Sequence, residues 1–131
     1  MALERVLIID DNPQNLKLAK VILAAEGYEV KTAIDAEDAL RILESFTPRL
    51  ILMDLQLPRM DGLELTRRLK ADPARREIIV IALTAYAMKG DDEKAFAAGC
   101  DGYISKPIDI DALPRVVAEY LARRVSRGSW R

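Results

Sequence analysis

Histidine is absent from this chain, and cysteine occurs once, at position 100. The first absence removes imidazole bases and histidine-ligated metal sites, so any phosphohistidine chemistry must use a histidine from another molecule. A single cysteine forbids an internal disulfide, and nothing here calls for an oxidising compartment. Cys100 reads as a small buried hydrophobe. No apolar run approaches the ~20 residues of a membrane span. The opening Met-Ala-Leu-Glu-Arg lacks the charged-then-apolar layout of a signal peptide. A net charge of −1 provides neither a basic stripe for nucleic acid nor a polybasic segment for a membrane. The expected location is cytoplasmic.

What is present is a globular composition, 50% apolar and 31% charged over 131 residues, the size of one domain. Short apolar runs alternate with longer amphipathic segments, the βα repeat of an α/β domain. The pattern predicts strands at 5–10, 28–33, 49–54, 78–83 and 102–105, with helices at 13–25, 35–45, 61–71, 88–98 and 110–123. The first, third and fourth strands are continuous apolar runs suited to burial on both faces, whereas Tyr28–Ala33 alternates like an edge strand. Asp11 or Asn12 with Pro13, Asp35 with Asp38, and Asp61 are expected to start helices. Gly27 and Gly99 are expected to stop them in the left-handed conformation. The folded domain is placed at 1–122, followed by a short basic tail at 123–131 and no output domain.

Four apolar runs end in residues with useful chemistry: Asp10-Asp11, Asp54, Thr84 and Lys106-Pro107. In an open parallel sheet all strand C-termini share one edge, where ligands bind at the topological switch point. Three carboxylates, a hydroxyl and an ammonium would therefore converge. Adjacent acids at a buried strand end repel unless a cation compensates them, and Mg²⁺ favours a few carboxylates plus phosphate oxygens. One of the pair also serves as a helix cap on the bland reading. Asp54 is poorly placed to cap a helix, because Leu55–Met60 intervenes, and a carboxylate can act as a nucleophile toward phosphorus. Lys106 would supply compact positive charge for the phosphoryl oxygens, with a Lys-Pro bond open to the cis form. Thr84 can donate a hydrogen bond to a phosphorylated aspartate, and small Ala85 leaves room for it. Tyr103 is either an aromatic packed on the last helix or a switch that turns inward when Thr84 moves. Gln56 offers a backbone carbonyl to the metal. Asn15 and Leu16 are expected to face outward near the site, with Leu18, Ala19, Ile22 and Leu23 on the core side of the first helix.

These residues carry a family likeness. The acid pair, Leu52-Met53-Asp54-Leu55-Gln56-Leu57-Pro58-Arg59-Met60-Asp61-Gly62, Thr84-Ala85 and Lys106-Pro107 resemble the receiver domain of bacterial two-component response regulators over about residues 4–122. Thr84–Asp91 and Ile104–Ile108 are similar to the subset found in stand-alone regulators and in hybrid sensor kinases. The resemblance implies a flavodoxin-like (βα)5 doubly wound fold, a five-stranded parallel sheet of order 2-1-3-4-5. It implies a phosphoprotein, not an enzyme in its own right, that accepts a phosphoryl group on Asp54 and signals through protein contacts. Asp10, Asp11 and the Gln56 carbonyl would form the Mg²⁺ site, with Asp11 and Asp54 as direct ligands. Thr84 and Lys106 would bind the phosphoryl group, and Thr84, Ala85, Tyr103 and Pro107 would make the switch. The expected partners are a sensor histidine kinase or histidine phosphotransfer protein, docking near Asn15, Leu16, Pro107 and Ile108, and a downstream protein. The expected state is a monomer or weak dimer. A phosphatase with an aspartate nucleophile would need that nucleophile on the first strand and a second acid two residues later, where Asn12 stands. A flavin binder would need a phosphate-cradling loop in place of Asp10-Asp11-Asn12-Pro13.

Overall fold

The computed structural model describes residues 4–57, 60–84 and 91–129, excluding the side chains of 91–92 and 123–129. The elements alternate: β1 (Arg5–Ile9), α1 (Pro13–Ala25), β2 (Glu29–Ala33), α2 (Ala36–Leu43), β3 (Leu50–Asp54), α3 (Gly62–Ala71), β4 (Ile79–Thr84), α4 (Asp91–Ala98), β5 (Gly102–Ser105) and α5 (Ala112–Ser129). All pairings are parallel, in the order β2-β1-β3-β4-β5. The central strands β3 and β4 are buried at every position, and β2 alternates at the edge.

The pleat divides the core between the two sheet faces. Leu7, Ile9, Ile51, Met53, Val80 and Ala82 pack with residues of α2, α3 and α4. Val6, Ile8, Leu50, Leu52, Ile81 and Leu83 pack with residues of α1 and α5. Strands covered on both sides must be apolar throughout, so a polar residue at the end of one is conspicuous.

The predicted punctuation holds. The Asn12 side chain caps α1 by accepting from the Gln14 and Asn15 N–H groups, with Pro13 in first position. Asp35 caps α2 by accepting from Asp38 N–H, and the Asp38 carboxylate in return accepts from Ile34 N–H. Asp61 caps α3 through Glu64 N–H. Gly27 and Gly99 take φ of 96° and 109°, a region costly for residues with a Cβ. The Lys106-Pro107 peptide is cis.

Three readings need correction. Leu16 is buried (7% exposed) while Leu18 is 40% exposed, so the inward face of α1 is Leu16, Ala19 and Leu23. With Pro13 as the first helical residue, Leu16 falls on the i, i+3, i+7 stripe toward the sheet. Helix α5 continues to Ser129, beyond the expected end at 123, because nothing from 123 to 127 breaks a helix. Tyr103 packs against the cluster of α2, α3 and α4, on the sheet face opposite α5. The tyrosine that meets β5 from α5 is Tyr120, stacked over Gly102.

Candidate phosphoryl and metal site

The chain leaves β1 toward β2 on one side and returns to β3 on the other, opening a crevice at the strand C-termini. Ile9 is level with Met53, so Asp10 and Asp54 emerge at the same height on neighbouring strands. Thr84 ends β4, one residue past Leu83, the register partner of Asp54. Lys106 follows β5 and donates its backbone N–H to the Thr84 carbonyl at 2.7 Å.

The acidic side chains meet there. Carboxylate oxygens of Asp10, Asp11 and Asp54 lie within 4.8 Å of one another, with Asp10 and Asp54 buried and Asp11 exposed. The Lys106 ammonium sits 3.0 Å from Asp10 Oδ2 and 3.4 Å from Asp54 Oδ2, its side chain 15% exposed. Among the described residues, one cation faces three carboxylates, an excess of negative charge. Burial raises the Asp54 carboxyl above its usual range, opposed by Gln56 N–H; Asp10 raises it further, and Lys106 lowers it. Burial alone would lower the Lys106 ammonium, but its bond to Asp10 and the field of Asp54 hold it above its usual value. A hard divalent cation with oxygen ligands suits this donor set.

The two buried acids are held differently. Asp10 Oδ1 accepts from Asn12 N–H at 2.9 Å, and Oδ2 accepts from the Asn15 amide at 3.4 Å as well as from Lys106. Asp54 Oδ1 accepts from Gln56 N–H at 3.0 Å. Asp10 meets three protein donors, whereas Asp54 meets two, Gln56 N–H and the Lys106 ammonium, and retains more capacity for a new bond.

The structure thus gathers Asp10, Asp11, Asp54 and Lys106, and buries Thr84 beside them. Gln56 touches the site through its N–H, and Asn15 is half-buried on Asp10, not turned outward. Pro107 is exposed and Ile108 half-buried, lining a cleft of about 80 Å³ with Ile104, Leu113 and Val116. Ala85 lies outside the described residues. Sequence reasoning missed Asn15 as a partner of Asp10; the signal was an amide one helical turn past the cap, on the side facing the acids. It also missed Gly62, which packs against the Asp54 backbone. A glycine at the first position of a helix has no propensity to recommend it, and that was its signal.

Residues 6–118 match the family model of the response regulator receiver domain. The chain is 45% identical over 116 residues to the polar-differentiation response regulator DivK of Brucella anthropi, covering 88% of this chain and 94% of that protein. The DivK protein of Brucella ovis shows the same identity and coverage. A CheY-like response regulator receiver domain protein from Methanospirillum hungatei JF-1 superposes with a TM-score of 0.88 at 34% identity, covering 96% of this chain and 99% of that one. The receiver domain of a sensor histidine kinase from Pseudomonas aeruginosa PAO1, solved with a magnesium ion coordinated in its active site cleft, gives 0.83 at 35% identity, with 92% and 99% covered. This chain belongs to the response regulator receiver domains of two-component signalling.

Proposed function

We propose that Asp54 accepts a phosphoryl group from a phosphohistidine on a sensor histidine kinase or histidine phosphotransfer protein. The carrying observation is Lys106 held between Asp10 and Asp54 beside three clustered carboxylates. An Asp54 oxygen attacks phosphorus; the P–N bond breaks, and the imidazole leaves with the electron pair. Asp11, Asp54 and the Gln56 carbonyl would hold Mg²⁺, and Asp10, its oxygens already engaged, would act from the outer shell. The ion would supply charge neutralisation to the phosphoryl oxygens. Lys106 shifts its ammonium from Asp54 to those oxygens, and the Thr84 hydroxyl donates to them. The Thr84 displacement draws Ala85 and frees space for Tyr103, and with Pro107 this alters the surface of α4, β5 and α5.

Output is through contact with a downstream protein, without nucleic acid, from a cytoplasmic monomer or weak dimer. Among the described residues no helix is long and apolar enough to cross a membrane. Incubation with a phosphorylated histidine donor and Mg²⁺ is expected to place one acid-stable, alkali-labile phosphate on Asp54. Chelation of Mg²⁺ is expected to reduce labelling at least tenfold. Labelling elsewhere, or unaffected by chelation, refutes the assignment.

Docking of the donor on α1 is supported by its outward face, where Leu18 and Val21 are 40% and 60% exposed. Leu18→Asp is expected to slow transfer from a protein donor about tenfold, the ~1.4 kcal/mol of one interface contact. Labelling by phosphoramidate, which needs no docking surface, stays within twofold. Equal slowing with both donors would place the defect in the pocket instead.

A further inference from the structure

We propose that Gly62 is a positioning residue for phosphoryl acceptance: its missing side chain lets the start of α3 seat directly on the backbone of Asp54. A Cβ at Gly62 would lie 2.4 Å from the Asp54 carbonyl oxygen, 2.9 Å from Leu55 Cα and 3.1 Å from the Asp54 carbonyl carbon. These are backbone atoms, so no flexible side chain can swing aside. Ordinary carbon contacts lie near 3.5–4.0 Å. The strand, the helix or both must shift to admit one methyl group.

Hydrogen bonds hold the seat from both sides. Leu55 donates its N–H to the Leu83 carbonyl at 3.0 Å, and its own carbonyl accepts from Gly62 N–H at 3.1 Å. The Gly62 carbonyl accepts from the buried Thr66 hydroxyl at 2.7 Å, one turn along α3. The peptide carrying the acceptor is thus fixed between β4 and the first turn of α3. Its carboxylate must keep register with Lys106, Asp10 and Asp11, and errors of about 1 Å in such alignment cost roughly 10²-fold in rate. Alanine inside a helix is ordinarily more stabilising than glycine, so propensity does not explain this residue. Close approach does.

This inference rests on Asp54 being the acceptor, and the test separates the two. Labelling by phosphoramidate with Mg²⁺ is measured for the parent protein and for Gly62→Ala, Thr66→Val, Thr66→Ser and Asp61→Ala, alongside circular dichroism and thermal midpoints. Gly62→Ala is expected to be folded and at least tenfold slower. Thr66→Val, which frees the Gly62 peptide without adding an atom at the acceptor, is expected to be about threefold slower, and Thr66→Ser, which keeps the hydroxyl, close to the parent. Asp61→Ala removes the cap that holds Glu64 N–H; it is expected to lower the midpoint while staying within twofold of the parent rate. A folded Gly62→Ala at the parent rate overturns the proposal, as does an Asp61→Ala protein as slow as Gly62→Ala. Should Gly62→Ala fail to fold, the Thr66 pair decides: Thr66→Val at the parent rate overturns it. A parent protein that takes up no phosphate at Asp54 instead removes the reading beneath.

Discussion

Asp54→Ala is expected to lower phosphate incorporation to less than about a hundredth of the parent level, the scale of losing a catalytic group outright. The two acidic neighbours are less well placed to take over. Both oxygens of Asp10 accept protein donors, from Asn12 N–H, Asn15 and Lys106, and Asp11 is exposed, on the loop after β1. The shape-preserving Asp54→Asn separates chemistry from folding. In the folded protein the Asp54 carboxyl is raised, by burial first and by Asp10 among the other causes. A raised carboxyl means the folded state binds the proton more tightly than the unfolded one, so at neutral pH its charged form opposes folding. Asp54→Asn removes that charge, and its thermal midpoint without Mg²⁺ is expected to exceed the parent's. Residual labelling above a tenth of the parent level in either variant would move the acceptor elsewhere.

Lys106→Met is expected to act in the opposite direction on stability. Its ammonium is the compensating charge within 3.4 Å of two buried carboxylates. Deleting one side of a buried ion pair costs about 3–5 kcal/mol because the remaining charge is left uncompensated. Urea unfolding without Mg²⁺ should show a loss of about 3 kcal/mol. Millimolar Mg²⁺ should restore much of it, since the cation supplies the missing positive charge. The rate of acceptance should fall about 10²-fold, the scale of losing one charged donor aimed at a transition state. Lys106→Arg should not rescue it, because a planar guanidinium cannot reproduce the compact ammonium between Asp10 and Asp54. Unchanged stability would mean that the pair contributes nothing net to folding.

The sheet, its edge strand and the convergence of Asp10, Asp11, Asp54 and Lys106 were legible in the sequence because buried strands leave a strong signal. A run such as Leu50–Asp54 has one polar residue, and its position announces an edge where solvent or ligand waits. Side-chain direction was harder to read. The start of α1 was read correctly, but placing Leu16 outward required knowing which side of the helix faces the sheet. Leu16, Ala19, Ile22 and Leu23 share one apolar stripe while Leu18 lies off it, and Leu18 was preferred wrongly to Leu16. Tyr103 failed as a packing partner of the last helix because strand alternation says which residues share a face but not which helices cover it. Gly62 and Asn15 were hidden for another reason: their roles are contacts across a turn, with the Asp54–Leu55 backbone and with Asp10, and these depend on loop geometry that composition does not record. Lys70 illustrates the same gap. Its ammonium bridges the carbonyls of Arg76 and Ile78 and the carboxylate of Asp101, tying α3 to the starts of β4 and β5, yet in sequence it is one more charged residue on a helix.

The charge that quiets the acids behind β1 comes from residue 106, on the far side of β5. A chain still emerging from the ribosome, with the acceptor already made but the last strand unbuilt, would carry mutually repelling carboxylates and no ammonium to steady an incoming phosphate. The charge balance of the pocket is therefore completed only when β5 and the residue after it join the sheet.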